Sequence, residues 1–134
     1  MKAKKSLGQN FLIDKNIIKK IVNVTNIKDK NILEVGPGTG NLTSEILINN
    51  PKKFYVIEKD NNLVSHLKDK FGEKLYIINE DILKFNEKSL GLEKIIVFGN
   101  LPYNISTEIL CKWILNLDNN EFWFKSLILM FQKE

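Results

Sequence analysis

The sequence predicts an α/β fold built on a doubly wound, mostly parallel sheet. Three observations predict it. Ile32-Leu33-Glu34-Val35 passes directly into Gly36-Pro37-Gly38-Thr39-Gly40 and then into Asn41-Leu42-Thr43-Ser44-Glu45-Ile46-Leu47: a strand, a glycine turn and a helix in succession. Along the rest of the chain, short β-type apolar runs alternate with stretches of helical spacing. Lys94-Ile95-Ile96-Val97-Phe98-Gly99 shows no polar alternation, as expected of a strand buried on both faces of a sheet.

Each element has a local reason. Asp14 is placed to cap a helix starting at Lys15, with Ile17, Ile18, Ile21 and Val22 on one face. Asn31 to Val35 forms the first strand, and residues near 41–49 form the helix after the glycine turn, closed by Asn49-Asn50-Pro51. Lys53 to Glu58 is the second strand. Asn61 to about Lys70 is helical, with Leu63, Val64 and Leu67 inward and Gly72 just past its end. Leu75 to Ile78 is the third strand and Lys94 to Gly99 the fourth. Helical spacing resumes from about Thr107 to Leu117, and Ser126 to Phe131 is the fifth strand. Only Gln132-Lys133-Glu134 follows, so the outer edge of that strand lacks a covering element. Either the edge pairs with another chain, or the sheet is truncated after its fifth strand.

A chain of 134 residues with 43% hydrophobic content has room for one domain with a real core. Its single cysteine, Cys111, rules out an internal disulfide and fits a reducing compartment. No apolar run reaches the roughly 18 residues of a membrane span, and the basic N-terminus lacks the hydrophobic region of a signal peptide. A cytoplasmic protein without a membrane partner is expected.

The charge is uneven. In residues 1–30, eight lysines face Asp14 and Asp29, a balance of +6; the whole chain carries +4, so the remaining residues sum to −2. A basic arm on a near-neutral body fits a polyanionic partner such as RNA. A lysine-rich composition alone would also place lysines on surfaces, and all 20 basic residues here are Lys. The chain divides into a basic N-terminal arm and helix, residues 1–30, and an α/β domain, residues 31–134.

The glycine spacing narrows the ligand. A dinucleotide fingerprint, G-x-G-x-x-G, would need glycine where Asn41 stands, and no Gly-Lys-Ser/Thr of a P-loop follows. The observed G-x-G-x-G at Gly36, Gly38 and Gly40 is the looser pattern of S-adenosylmethionine (SAM) enzymes, whose cofactor has no pyrophosphate to cradle. A tight turn without a ligand is the plain alternative. Ligands of such sheets bind beyond the carboxyl ends of the strands, where Glu58, Asp81 and Asn100 also fall. Glu58, 18 residues after Gly40, can accept hydrogen bonds from both ribose hydroxyls of a nucleoside. Asp81 is placed to hydrogen-bond the exocyclic amine of the cofactor's adenine. A solvated strand end or a helix cap is the alternative for each acid.

Asn100-Leu101-Pro102-Tyr103 is the sharpest signal. The exocyclic amine of a base is a poor nucleophile, because its lone pair is delocalised into the ring. The Asn100 side-chain oxygen and the Leu101 backbone carbonyl can accept its two hydrogens, favouring a pyramidal nitrogen whose lone pair faces the sulfonium methyl. Pro102 stiffens the turn, and Tyr103 offers a face for stacking the extruded base. Other residues read as bland. His66 belongs to a helix surface and Cys111 to the core. Trp113, Phe122, Trp123 and Phe124 fit core or interdomain packing better than an RNA-stacking patch. No hydrolase triad or metal site is expected.

With those residues in place, the chain closely resembles the ribosomal RNA adenine dimethyltransferases, which use SAM to convert two adjacent adenines of the 16S rRNA 3′-terminal hairpin to N6,N6-dimethyladenosine. The resemblance runs through Lys5-Ser6-Leu7-Gly8-Gln9-Asn10-Phe11-Leu12, Glu34 to Gly40, Glu58-Lys59-Asp60, Asp81-Ile82, Asn100 to Ser106 and Phe131 to Glu134. It implies that Asn10 and Leu12 close over SAM, Gly36 lies under its methionine portion, and Glu58 takes the ribose. Asp81 and Ile82 then belong to the adenine site, and Asn100 is shared between cofactor and target base. Leu101, where the related 23S rRNA enzymes usually carry Ile, favours the 16S branch. The implied partner is 16S rRNA in an immature small subunit, and a complete enzyme would be a monomer. Family members are about twice as long, with two further strands and a helical C-terminal domain. A fragment that binds SAM or RNA without turnover is therefore the competing reading. A 23S rRNA enzyme is another. A SAM enzyme for DNA adenine or protein glutamine is disfavoured by the basic arm and the single proline.

Overall fold

A computed structural model describes residues 14–115 and 123–131. Among these residues, four α-helices and five strands follow one another: α1 (Lys15–Val22), β1 (Asn31–Val35), α2 (Asn41–Ile48), β2 (Lys53–Ile57), α3 (Asn61–Phe71), β3 (Tyr76–Ile78), β4 (Ile95–Leu101), α4 (Tyr103–Leu115) and β5 (Phe124–Phe131). The five strands form one sheet in the order β3-β2-β1-β4-β5, with every pairing parallel. The order reverses between β1 and β4, so chain segments leaving these two central strands diverge and open a crevice at their carboxyl ends.

Two apolar clusters hold the layers together, one on each face of the sheet. Ile32, Phe54, Val56, Ile96 and Phe98 pack with Ile18 and Val22 of α1, Leu42 and Ile46 of α2, and Leu67 and Phe71 of α3. On the other face, Leu33, Val35, Ile57, Ile95 and Val97 pack with Ile109 and Trp113 of α4 and with Ile82 and Phe85. The helix α1 therefore shares a core with the sheet, while Lys15, Lys19 and Lys20 remain exposed.

The Asp14 cap is present: its carboxylate accepts from the backbone N–H of Asn16 at 2.9 Å and of Ile17 at 3.2 Å. Several expectations shift. Ile17 is not on the buried face of α1 but 46% exposed, because the stripe runs through Ile18 and Val22, four residues apart. The last helix begins at Tyr103 rather than Thr107. Pro102 needs no N–H at a helix start, and its carbonyl accepts the first helical bond from Ser106 N–H at 3.0 Å. Its inward stripe is Ser106, Ile109 and Trp113, which turns Cys111 about 200° away from Ile109. Cys111 is accordingly exposed and not part of the core. The expected end of that helix at Leu117 lies outside the described residues.

Two strands are longer than their apolar runs. β4 continues through Asn100 and Leu101 because β5 pairs with it there, Asn100 opposite Met130 and Leu101 opposite Phe131. β5 begins at Phe124, two residues before Ser126, with a register shift between Ile95 and Ile96 that leaves Lys125 exposed. Trp113, Trp123 and Phe124 form a chain of edge-to-face contacts, with centroids 5.3 and 5.1 Å apart. That is packing, as expected; Phe122 lies outside the described residues.

Gly40 shows why a glycine opens α2. Its φ is +91°, and a Cβ there would sit 2.6 Å from Cε2 of the Phe71 ring. Gly91 is also left-handed, at +64°, but faces open space. Gly40→Ala is therefore expected to lose about 3 kcal/mol of stability, the sum of left-handed strain and overpacking. Gly91→Ala should lose only about 1 kcal/mol. Urea unfolding of the two variants measures the difference; equal losses would contradict the packing role.

Candidate functional site

The crevice at the reversal point is an open cavity of about 420 Å³. Its floor is the glycine turn. Gly36 has φ +66° and Gly38 +58°, conformations that L side chains rarely adopt. Gly36 N–H donates to the Ile57 carbonyl at 3.0 Å, tying the turn to the end of β2. A Cβ on Gly36 would run into Leu101 Cδ2, so the turn and the end of β4 touch across the crevice.

Glu58 follows β2 directly. Its backbone N–H donates to Ile78 at 3.0 Å, and it is 7% exposed. Its carboxylate accepts from the backbone N–H of Asp60 at 3.0 Å, and from those of Gly38 and Lys59. Burial nevertheless outweighs these donors and pushes its pKa above the ordinary carboxylate value. Asp60 is occupied differently: it caps α3, accepting from Asn62 N–H at 2.8 Å and Leu63 N–H at 3.2 Å.

Asp81 opens a tight turn after β3. One carboxylate oxygen accepts from Leu83 N–H at 3.0 Å, and its carbonyl accepts from Lys84 and Phe85 N–H at 2.9 and 3.0 Å. Ile82 and Leu83 join it on the cavity wall. Opposite, Asn100 and Leu101 leave the sheet and Pro102 turns the chain into α4. The Leu101 carbonyl accepts from Ser106 Oγ at 3.3 Å.

Of the residues singled out by sequence, Gly36, Gly38, Glu58, Asp81, Ile82, Asn100, Leu101 and Pro102 all border this one cavity. Gly40 does not border it; its backbone serves the contact with Phe71 described above. Tyr103 is also outside the wall, 55% exposed on the first turn of α4. Asn10 and Leu12 lie outside the described residues.

The structure adds Glu34, an acid within the glycine motif, to the site. It lies next to the carboxyl end of β1, 2% exposed, on the cavity wall, and its carboxyl accepts from Thr43 Oγ1 of α2. Burial, helped slightly by the charge of Glu58 and opposed by the Thr43 hydroxyl, pushes its pKa up to about 8. The signal for it was an acid among the apolar residues of a central strand.

The sheet and helices match solved methyltransferases. An S-adenosylmethionine-dependent methyltransferase from Clostridium acetobutylicum superposes with a TM-score of 0.57 at 21% identity, over 72% of this chain and 42% of that one; it shares the fold. Two solved structures lie nearer in sequence. A dimethyladenosine transferase from Plasmodium falciparum gives a TM-score of 0.73 at 32% identity, covering 92% of this chain and 44% of that one. The 23S rRNA methyltransferase ErmE gives 0.68 at 28% identity, covering 80% and 43%. The architecture is thus that of the SAM-dependent methyltransferase class.

Within that class, the family model for ribosomal RNA adenine dimethylase matches residues 1–134. A ribosomal RNA small subunit methyltransferase A from Pelagibacter ubique is 62% identical over 134 residues, all of this chain and 51% of that protein. One from Wolbachia pipientis is 48% identical over 138 aligned residues, with the same coverage. The chain belongs to the ribosomal RNA adenine dimethylase family. It spans about half the length of the curated relatives it matches. Among the described residues, no helix is long and apolar enough to cross a membrane.

The raised pKa of Glu34 has a stability signature. Between about pH 4.5 and 8, the folded chain holds a proton that the unfolded chain has released, so this group makes stability fall as pH rises through that window. Glu34→Gln removes the dependence. Its stability relative to the native chain should increase steadily from about pH 5 to about pH 8.5, measured by urea unfolding. Parallel pH profiles for the two proteins would contradict a carboxyl held neutral by burial.

Proposed function

We propose that this chain carries the SAM-binding and adenine-activating half of a cytoplasmic enzyme that dimethylates N6 of two adjacent adenines in the 3′-terminal hairpin of 16S rRNA. The observation that carries the reading is the meeting, in one cavity, of the glycine turn, Glu58, Asp81 and the Asn100-Leu101-Pro102 segment. Family membership supports the substrate class, and the basic residues of the N-terminal stretch favour a polyanionic partner.

The residues present fit the cofactor. Gly36 and Gly38 admit close backbone approach, Glu58 faces the cavity as a ribose acceptor, and Asp81 with Ile82 would flank the adenine. When bound, SAM supplies an electrophilic methyl group on a sulfonium. Asn100 and the Leu101 carbonyl would accept the two hydrogens of the target amine and orient its lone pair. Pro102 has no N–H to compete for those acceptors, and exposed Tyr103 suits stacking of a base arriving from solvent. Asn10 and Leu12 are proposed to close over the cofactor, as the family resemblance implies. No strong base is required, because the product ammonium loses its proton readily.

Calorimetric titration of the purified chain with SAM tests the first half of this reading. Glu58→Ala is expected to weaken binding about tenfold or more, through lost hydrogen bonds to a charged acceptor. Asn100→Ala should lower methyl transfer to small-subunit rRNA by about 10²–10³-fold. A folded, monodisperse chain that binds no SAM would overturn the cofactor reading. Binding that survives without any methyl transfer would leave a cofactor-binding unit and overturn the catalytic half.

A further inference from the structure

The wall of the cavity formed by Asp81, Ile82 and Leu83 belongs to the segment between β3 and β4, which has no sheet partner. What holds that wall against the rest of the protein is a side chain outside every motif discussed above. Lys112, on α4, reaches across with its ammonium group. It donates to the Ile82 carbonyl at 2.7 Å, to the Phe85 carbonyl, and to Glu87 Oε1 at 2.8 Å. An ammonium has three hydrogens, enough to serve these three acceptors at once. Glu87 is itself buried, and its Oε1 also accepts from Trp113 Nε1 at 2.6 Å.

The two carbonyls that Lys112 binds belong to the turn that Asp81 opens. The helix that carries Lys112 begins just after Pro102 and sends Ile105 to the cavity wall. One cation therefore clamps the wall bearing Asp81 to the helix that continues the Asn100-Leu101-Pro102 segment. Buried ion pairs add little net stability, because desolvation offsets their attraction. Their fixed geometry makes them suited to holding position.

We propose that Lys112 is a positioning residue that sets the Asp81 turn at the height where it reads the purine 6-position of the bound cofactor. The inference rests on the cofactor reading above. Lys112 touches no ligand in this role; it acts through the Ile82 and Phe85 carbonyls.

The test is base discrimination by the purified chain, with folding followed by circular dichroism. Affinities are measured for S-adenosylhomocysteine and for S-inosylhomocysteine, which carries a carbonyl where adenine has its amine. The native chain should prefer the adenine ligand about tenfold, as expected when a buried acceptor loses its donor. In Lys112→Met, which keeps the apolar stem, the preference should fall to about threefold or less. The paired variant Lys112→Met with Glu87→Gln removes the buried carboxylate left behind and should show the same reduced preference, even if the single variant folds poorly. Adding Lys112→Met to Asp81→Ala should leave the ratio of Asp81→Ala unchanged. Variants that bind both ligands more weakly at an unchanged ratio would overturn the proposal and make Lys112 a brace for the fold alone. A native chain that binds neither ligand would overturn the cofactor reading itself, and this inference with it. A native chain that binds both equally would overturn the role of Asp81 and the positioning role together, while leaving cofactor binding intact.

Discussion

The parallel pairing of β1 with β4 is the constraint on which the site depends. Val35 lies opposite Gly99 in that ladder, so the residues that follow, Gly36 on one strand and Asn100-Leu101 on the other, emerge side by side. The chain then turns toward α2 from β1 and toward α4 from β4, on opposite faces of the sheet. A crevice is the geometric result. Its closeness is set by what Gly36 lacks, since Leu101 occupies the space where a Cβ would stand. The same demand recurs one strand over, where a Cβ on Gly99 would sit 3.0 Å from Leu129.

Around that contact the protein collects carboxyl groups in poorly hydrated places. Glu34 and Glu58 stand at and beyond the ends of adjacent strands, both buried, both with pKa values raised chiefly by burial. They differ in their partners. Glu58 accepts backbone N–H groups from the glycine turn and the segment leading into α3, so it binds these two segments together while facing the cavity. Glu34 has a single hydroxyl from α2 and is accommodated as the neutral acid over much of the ordinary pH range. Two acids a strand apart thus have distinct electrostatic characters, and a cationic ligand in the cavity would shift both toward ionisation.

The far wall is built by another logic. The segment from β3 to β4 has little regular structure, so side chains from α4 anchor it. Ile82 and Phe85 are buried against Ile109 and Trp113, and Lys112 with Glu87 fixes the polar side. Apolar burial brings the turn down onto the helix without choosing its orientation; directional hydrogen bonds to the Ile82 and Phe85 carbonyls choose it.

The sequence alone determined the succession of strands and helices, the glycine turn and the end-of-strand residues Glu58, Asp81 and Asn100. These are local: periodicity, Asp14 and Asp60 as caps, and glycines at positions of positive φ are written in short stretches of chain. The tertiary structure decided whatever depends on a neighbour distant in the chain. Asn100 and Leu101 became strand because β5 pairs with them, Cys111 turned outward because the helix phase is set by Trp113 and Ile109, and Gly40 faces Phe71 rather than the cavity. Glu34 and Lys112 show the limit most clearly. A buried carboxylate or ammonium reads the same in a sequence as an exposed one; burial and partners are decided by which surfaces fold over it, and hydration and hydrogen bonding then set what it can do.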